Sequence, residues 1–223
     1  MSKKDDLLHH TYELFSKQGD SVSLSTIAEA ASIKKASIYA HFDSKEDLLF
    51  QVINAHIQHY SCATKKQLEK LKKESLEVTL KQFYQFNLHY FHEPTRLLFW
   101  KRCLLLSEGP LKDRVEQAHR KVHDRNMKCL ADRYLQDTHT HQKPAGNLPI
   151  FINSYLILLL GMLYSLFTFE HDLSSYDHAF DIFWKGLRQH QIDSDVSSVI
   201  SDRLQSTKLH CPSGRRISGN NPN

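Results

Sequence analysis

Glycine and proline are scarce, seven and six in 223 residues. With so few breakers, long stretches have nothing to interrupt a helix. No run alternates apolar and polar residues between turn signals, so strands are not expected. Four cysteines, Cys62, Cys103, Cys129 and Cys211, stand far apart without a Cys-x-x-Cys pair. That argues against a disulfide framework and for free thiols in a reducing compartment. The sequence also lacks a Gly-rich phosphate loop, a Gly-x-Ser-x-Gly elbow and a His-Glu-x-x-His helix, so neither an enzyme nor a cofactor is expected. Its first residues are charged rather than apolar, which argues against a secretory leader and for the cytoplasm. Histidine is plentiful, at fifteen. His119 and His123 lie four apart, and His139-x-His141 follows Asp137, but no third ligand stands at a suitable spacing. No metal is expected.

Hydrophobic residues make up 40% of the chain, enough for a helical core, and the formal net charge is +4. The first fifty residues run against that balance, with six Lys, no Arg and eight carboxylates. Any attraction of this part for a polyanion must come from where Lys3, Lys4, Lys34, Lys35 and Lys45 are placed, and from helix N-termini.

The stretch from Ser23 to Leu49 organises the rest. Ser23 is a natural N-cap for a short helix in which Leu24, Ile27, Ala28 and Ala31 share a face. Ser32 and Ile33 break it. A second short helix over about Lys35 to Phe42 turns Ile38 and Phe42 inward and leaves Lys35, Ala36, Ser37, Tyr39 and His41 outward. Asp43 and Ser44 end it, and Ser44-Lys45-Glu46-Asp47 opens a third with a capping-box-like pattern. Short helix, turn, short helix with a polar outer face is the helix-turn-helix layout, whose second helix fits a DNA major groove.

The run Ile27-Ala28, Ala31-Ser32-Ile33, Lys35-Ala36-Ser37-Ile38-Tyr39, His41-Phe42, Ser44-Lys45-Glu46, Leu48 resembles the DNA-binding signature of the tetracycline-repressor (TetR/AcrR-type) family. Lys34 stands where that family usually has a small N-capping residue, and Ala36 where Gly or Pro is common. The resemblance implies a tyrosine and a lysine, here Tyr39 and Lys45, that hold backbone phosphate and set register rather than sequence. Lys35 and Ser37 then reach base edges or phosphate, and the Ala36 methyl a thymine methyl. Ser23, Lys34, Lys35, Ala36, Ser37, Tyr39, His41 and Lys45 are the candidate DNA contacts.

The remaining periodicity predicts further helices. One precedes Gly19, built on Leu7, Leu8, Thr11, Leu14 and Phe15. The helix opened by Ser44 runs to about Cys62, and a charged stretch, residues 65–74, is a solvated face or turn. Others cover about residues 76–92, 95–107, 111–136 and 150–169, and a last one is capped by Ser174. Residues 150–169 carry no charge and satisfy the length criterion for a membrane span. Without basic flanks, a buried core and interface helix is the preferred reading, and no membrane partner is expected.

The expected fold is therefore all-α. Residues 1–50 form a three-helix helix-turn-helix DNA-binding bundle, residues 51–193 a larger helical domain, and residues 194–223 a polar, disordered tail. The resemblance implies a homodimer on double-stranded operator DNA, released by a small-molecule effector. It implies pairing of the last two helices with their symmetry mates, for which Leu159, Leu163, Phe167, Phe180, Phe183, Trp184 and Leu187 are candidates. The resemblance also implies an effector pocket in the body, for which Tyr90, Phe99, Trp100, Cys103, Tyr155 and Met162 are candidates, and an aromatic lining there suits an apolar or cationic molecule. Two alternatives are a ligand-independent DNA-organising protein of the same fold and a single-span membrane protein with a DNA-binding head.

Overall fold

A computed structural model describes residues 3–137, 148–169 and 172–189. The pair His139 and His141 and the tail from residue 194 lie outside the described residues, so the readings of them stay where the sequence left them.

The described residues are almost entirely helical, without a strand. In chain order the helices are α1 (Lys3–Gln18), α2 (Leu24–Ala30), α3 (Lys35–Tyr39), α4 (Lys45–Lys70), α5 (Leu76–His92), α6 (Pro94–Leu104), α7 (Pro110–Asp137), α8 (Leu148–Thr168) and α9 (Leu173–Gln189), with a 3₁₀ turn at Gly19–Ser21. Gly19 ends α1 with φ +69°, a conformation L side chains avoid, as expected of a C′ glycine.

The caps explain most of these boundaries. Ser23 Oγ accepts from Thr26 N, Ser44 Oγ from Asp47 N and Ser75 Oγ from Val78 N, each satisfying one free amide of a first turn. Glu93 does the same for Thr95 and Arg96, with Pro94 at the first helical position.

α6 ends at Leu104, short of the expected 107, where the Leu105 amide turns back to the Arg102 carbonyl at 3.1 Å. Three other boundaries depart from the periodicity. First, α3 stops at Tyr39 rather than Phe42, because the amides of His41 and Phe42 both turn back to the Ile38 carbonyl, at 2.9 and 3.0 Å. Second, α4 runs on to Lys70, two turns past Cys62. Nothing between Ser61 and Lys70 breaks a helix, and Ala, Lys, Gln, Leu and Glu favour one. Third, α9 is capped by Asp172, whose carboxylate accepts from Ser174 N at 3.2 Å, so Ser174 is not the cap.

One contiguous core joins the N-terminal helices to the rest. Leu7, Phe15, Val22, Ile27, Ile38, Phe42 and Leu48 fill the head. Leu80, Phe83, Tyr84, Leu88, Leu130, Phe151 and Tyr155 fill the body behind it. α4 passes from one to the other without interruption at residue 50. Lys81 on α5 pairs with Asp181 on α9 at 2.8 Å, and Gln85 donates to Asp177 at 2.9 Å, which fixes which face of α9 meets the body.

Candidate nucleic-acid interface and the helices behind it

The turn between α2 and α3 is closed by backbone bonds. Ser32 N donates to Glu29 O and Ile33 N to Ala28 O, both at 3.0 Å, while Ser32 adopts φ +52°. This places α3 across the end of α2, with Ile38 buried at 1% exposure and Phe42 sealing the bundle. What is left outside is the polar face: Lys34, Lys35, Ala36, Ser37 and His41 are exposed, and Tyr39 keeps 54% of its surface in water. Lys34 occupies the N-cap of α3 without a side-chain capping bond, as its departure from the family pattern implies, so its ammonium stays free of the helix end.

Two candidates already have structural partners. The Ser23 hydroxyl is engaged by Thr26. The Lys45 ammonium, half-buried, donates to the Asp20 carbonyl at 2.8 Å. Asp20 in turn accepts from Ser107 N at 3.1 Å, and Arg102 donates to the Lys17 carbonyl at 2.6 Å. The 3₁₀ turn is thus gripped by the head's own lysine on one side and by the end of α6 on the other.

The junction continues as a cleft of about 490 Å³ bounded by α1, α4 and the start of α6. His56 lies on its wall, stacked on Tyr12 with centroids 4.3 Å apart and against Phe99 at 4.6 Å. Burial among these rings, with His59 and Arg96 adding repulsion, lowers its pKa to about 4. The imidazole is therefore neutral in the folded chain while the unfolded one charges near 6.5. Its contribution to stability is complete above pH 6.5 and lost as pH falls toward 4. The difference in unfolding free energy between pH 7 and pH 4.5 should shrink in a His56→Phe variant. An unchanged difference would show that His56 does not contribute to the acid sensitivity.

The six effector candidates are placed in packed core. Tyr90, Phe99 and Trp100 belong to one network of ring contacts with Tyr60 and Phe91. Tyr155 is fully buried and donates to the Leu80 carbonyl at 2.8 Å. Met162 is buried as well, and Cys103 half-buried. None of the six lines the junction cleft, because rings recurring at helical spacing pack against one another first. One of them retains unused chemistry. Trp100 Nε1 is buried and has no hydrogen-bond partner among the described residues.

The interface candidates differ in their exposure within the single chain. Phe180, Leu159 and Trp184 point into the body, at 1%, 6% and 8% exposure, while Leu163, Phe167, Phe183 and Leu187 are half-buried against it. The outward apolar residues are different ones: Ile157 at 70%, Leu160 at 53% and Tyr164 at 66% on α8, and Ile182 at 72% on α9. α8 is long and apolar enough to cross a membrane, and 28% of its most apolar window is buried.

Residues 7–52 match the family described as bacterial regulatory proteins, tetR family. Over 51 residues the chain is 43% identical to the biofilm operon icaADBC HTH-type negative transcriptional regulator IcaR of Staphylococcus aureus (strain Newman), a match covering 22% of this chain and 27% of that protein. The Staphylococcus epidermidis IcaR matches at 41% over 46 residues, or 20% and 25% of the two chains. The matches thus span about a quarter of the length of these curated relatives.

Among solved structures, the fold is similar to three regulators. The fatty acid degradation regulator FadR from Bacillus halodurans has a TM-score of 0.64 at 14% identity, with 82% of this chain and 99% of that one covered. For AibR in complex with isovaleryl coenzyme A and operator DNA the values are 0.60, 15%, 84% and 98%. For the TetR family regulator PfmR from Thermus thermophilus they are 0.59, 17%, 82% and 97%. At such identities the likeness speaks for the fold.

Proposed function

We propose that this chain, a tetR-family DNA-binding regulator by its N-terminal domain and its fold, works as a homodimeric transcriptional repressor that a small molecule releases from its operator. The observation that carries the reading is the exposed face of α3, where Lys34, Lys35, Ala36, Ser37, Tyr39 and His41 stand out from a bundle closed behind them by Ile38 and Phe42. In a two-fold dimer, two such helices set about 34–36 Å apart would enter successive major grooves. Tyr39 and Lys45 are assigned to backbone phosphate and Lys35 to a base edge. Lys45 could contribute while still bonded to Asp20, since an ammonium has three donors.

The apolar outer stripe of α8, together with the exposed Ile182 on α9, supports pairing of two copies rather than insertion in a bilayer. α9 lies beside α8 and carries Asp177, Asp181 and Lys185, the first two bonded to α5. A bilayer around α8 would have to accommodate those charges. The domain division follows: a DNA-binding head to about residue 50, and a dimerising, effector-binding body to about 193. The body's aromatic core, with the unpartnered Trp100 N–H inside it, supports an apolar effector that offers one acceptor. AibR, similar in fold, is seen with an acyl coenzyme A thioester and DNA. These features favour a cytoplasmic regulator without catalytic activity.

Selection of bound fragments from genomic DNA, followed by titration of the recovered site, tests the reading. A Lys35→Ala variant should lose about 1–3 kcal/mol of affinity for that site and relax its preference at one base position. A variant that binds the recovered site as tightly as the parent would remove α3 from the interface.

A further inference from the structure

α4 and α7 run side by side, and along one edge of their apolar seam, where Val115 and Val122 are buried, a largely polar groove opens. Arg114, Gln117, Lys121 and Arg125 recur on α7 at intervals of three or four, facing Phe50, Asn54, Gln58 and Ser61 on α4. Such spacing normally produces an apolar seam. Here it leaves a groove of about 390 Å³, within the range of small-molecule sites. Three cations line it and no carboxylate does. Arg114, Gln117 and Lys121 also border a neighbouring hollow on α7, which adds Arg120 and the carboxylates Asp113, Glu116 and Asp124.

The charges in the groove are incompletely balanced. Arg125 is held by Ser61 Oγ at 2.7 Å, Ser61 O at 3.0 Å, Thr64 Oγ1 at 2.9 Å and Asn126 Oδ1 at 2.8 Å. All four acceptors are neutral oxygens, so its orientation is fixed while its charge is not offset. Lys121 is exposed and forms no ion pair among the described residues. Arg114 stacks on Phe50, its guanidinium carbon 3.8 Å from the ring centroid, and lies 3.5 Å from Asp47. Asp47 belongs to the first turn of α4: its amide donates to Ser44 Oγ, and its carboxylate accepts from Gln51.

We infer that this groove binds a small phosphate-bearing anion, held by Arg114, Lys121 and Arg125 and oriented by the amides of Asn54, Gln58 and Gln117. Eleven residues of helix separate the outer two arginines, a rise of about 16 Å, so a ligand with more than one anionic group is favoured. Guanidinium forks suit phosphate oxygens, and a fixed one loses little entropy on binding. The anion competes with Asp47 for Arg114. Binding therefore loosens the tie between α7 and the start of α4, next to the recognition helix, and shifts the population of head positions. That last step rests on the repressor reading; the binding itself does not.

The test uses inorganic tripolyphosphate and the full chain. Titration calorimetry should detect one site per chain, weakened at least tenfold by Lys121→Gln or Arg114→Gln and unchanged by Lys101→Gln, an exposed lysine on α6. Absence of a heat, or equal weakening by all three changes, overturns the site. In the same experiment on operator DNA, tripolyphosphate should release the parent protein and not Lys121→Gln. Release that persists in Lys121→Gln marks competition at the DNA face and overturns the coupling. If Lys121→Gln weakens operator binding without the anion, the groove is a DNA contact and the inference fails. A chain that binds tripolyphosphate in the groove but never binds duplex DNA keeps the site and loses the repressor reading.

Discussion

Replacing Ile157 with Asp is expected to yield soluble, helical monomers that bind operator DNA at least a hundredfold more weakly than the parent protein. Ile157 is 70% exposed in the single chain, so a carboxylate there meets water and leaves the fold intact. In the proposed two-fold pair the same position would be buried against the partner's copy of this surface, because a closed dimer uses one patch twice. The substitution would then remove apolar area worth about 25 cal/mol per Å² on each side and place an unpaired charge in the seam. Loss of the dimer separates the two recognition helices, and each half-site must then be bound alone. Sedimentation equilibrium and circular dichroism decide it. A variant that remains dimeric places the interface elsewhere. Trp184→Asp should behave differently, since Trp184 is 8% exposed and faces the body. Its charge would be buried in the single chain, and misfolding rather than clean dissociation is expected.

The contrast between Ile157 and Trp184 also shows what a sequence can and cannot reveal. On α2 and α3 the readable features are local: a serine before an apolar face, a break at Ser32 and Ile33, and a second short helix with only Ile38 and Phe42 apolar on its inner side. Caps and spacing act within one turn, so burial and exposure there follow from the residues themselves. α8 has no such contrast. It is apolar all round, and periodicity cannot tell the face that meets α5 and α7 from the face left outside. Leu159 and Leu160 are neighbours of the same type, yet one is 6% exposed and the other 53%.

The candidate pocket fails to be legible for a related reason. Phe99 or Tyr155 satisfies the same pattern whether it lines a ligand or another ring, and here each packs on its neighbours. The basic groove between α4 and α7 is hidden because α7 is charged along most of its length, so one basic face does not stand out from the others. Spacing alone puts Arg114, Lys121 and Arg125 on one face of α7; that this face borders α4 is what no local pattern tells. The Arg114–Asp47 contact spans 67 positions of sequence and leaves no local signal at all.

Phe99→Ala is the second change with a large expected effect, because Phe99 is where head and body meet. It is fully buried, with ring centroids 4.9 Å from Tyr12, 5.5 Å from Phe15, 4.6 Å from His56 and 5.4 Å from Trp100. α1 supplies the first two, α4 the third and α6 the last, so one side chain fills the space among three helices. Truncating it leaves a cavity that those rings, anchored on separate helices, can close only in part. The loss should be about 3–5 kcal/mol, a large share of the roughly 5–15 kcal/mol that keeps a typical domain folded. Urea unfolding followed by circular dichroism measures it. Leu98→Ala, one residue earlier but 50% exposed, should cost about 1 kcal/mol or less. Phe99→Leu should fall between the two, since most of the volume remains. If the m-value of Phe99→Ala drops along with its midpoint, the head has begun to unfold apart from the body, and Phe99 is the contact that made them one cooperative unit. Equal losses at positions 98 and 99 would instead mean that α6 does not hold α1 through this ring, and the route from body to recognition helix would have to run through α4 alone.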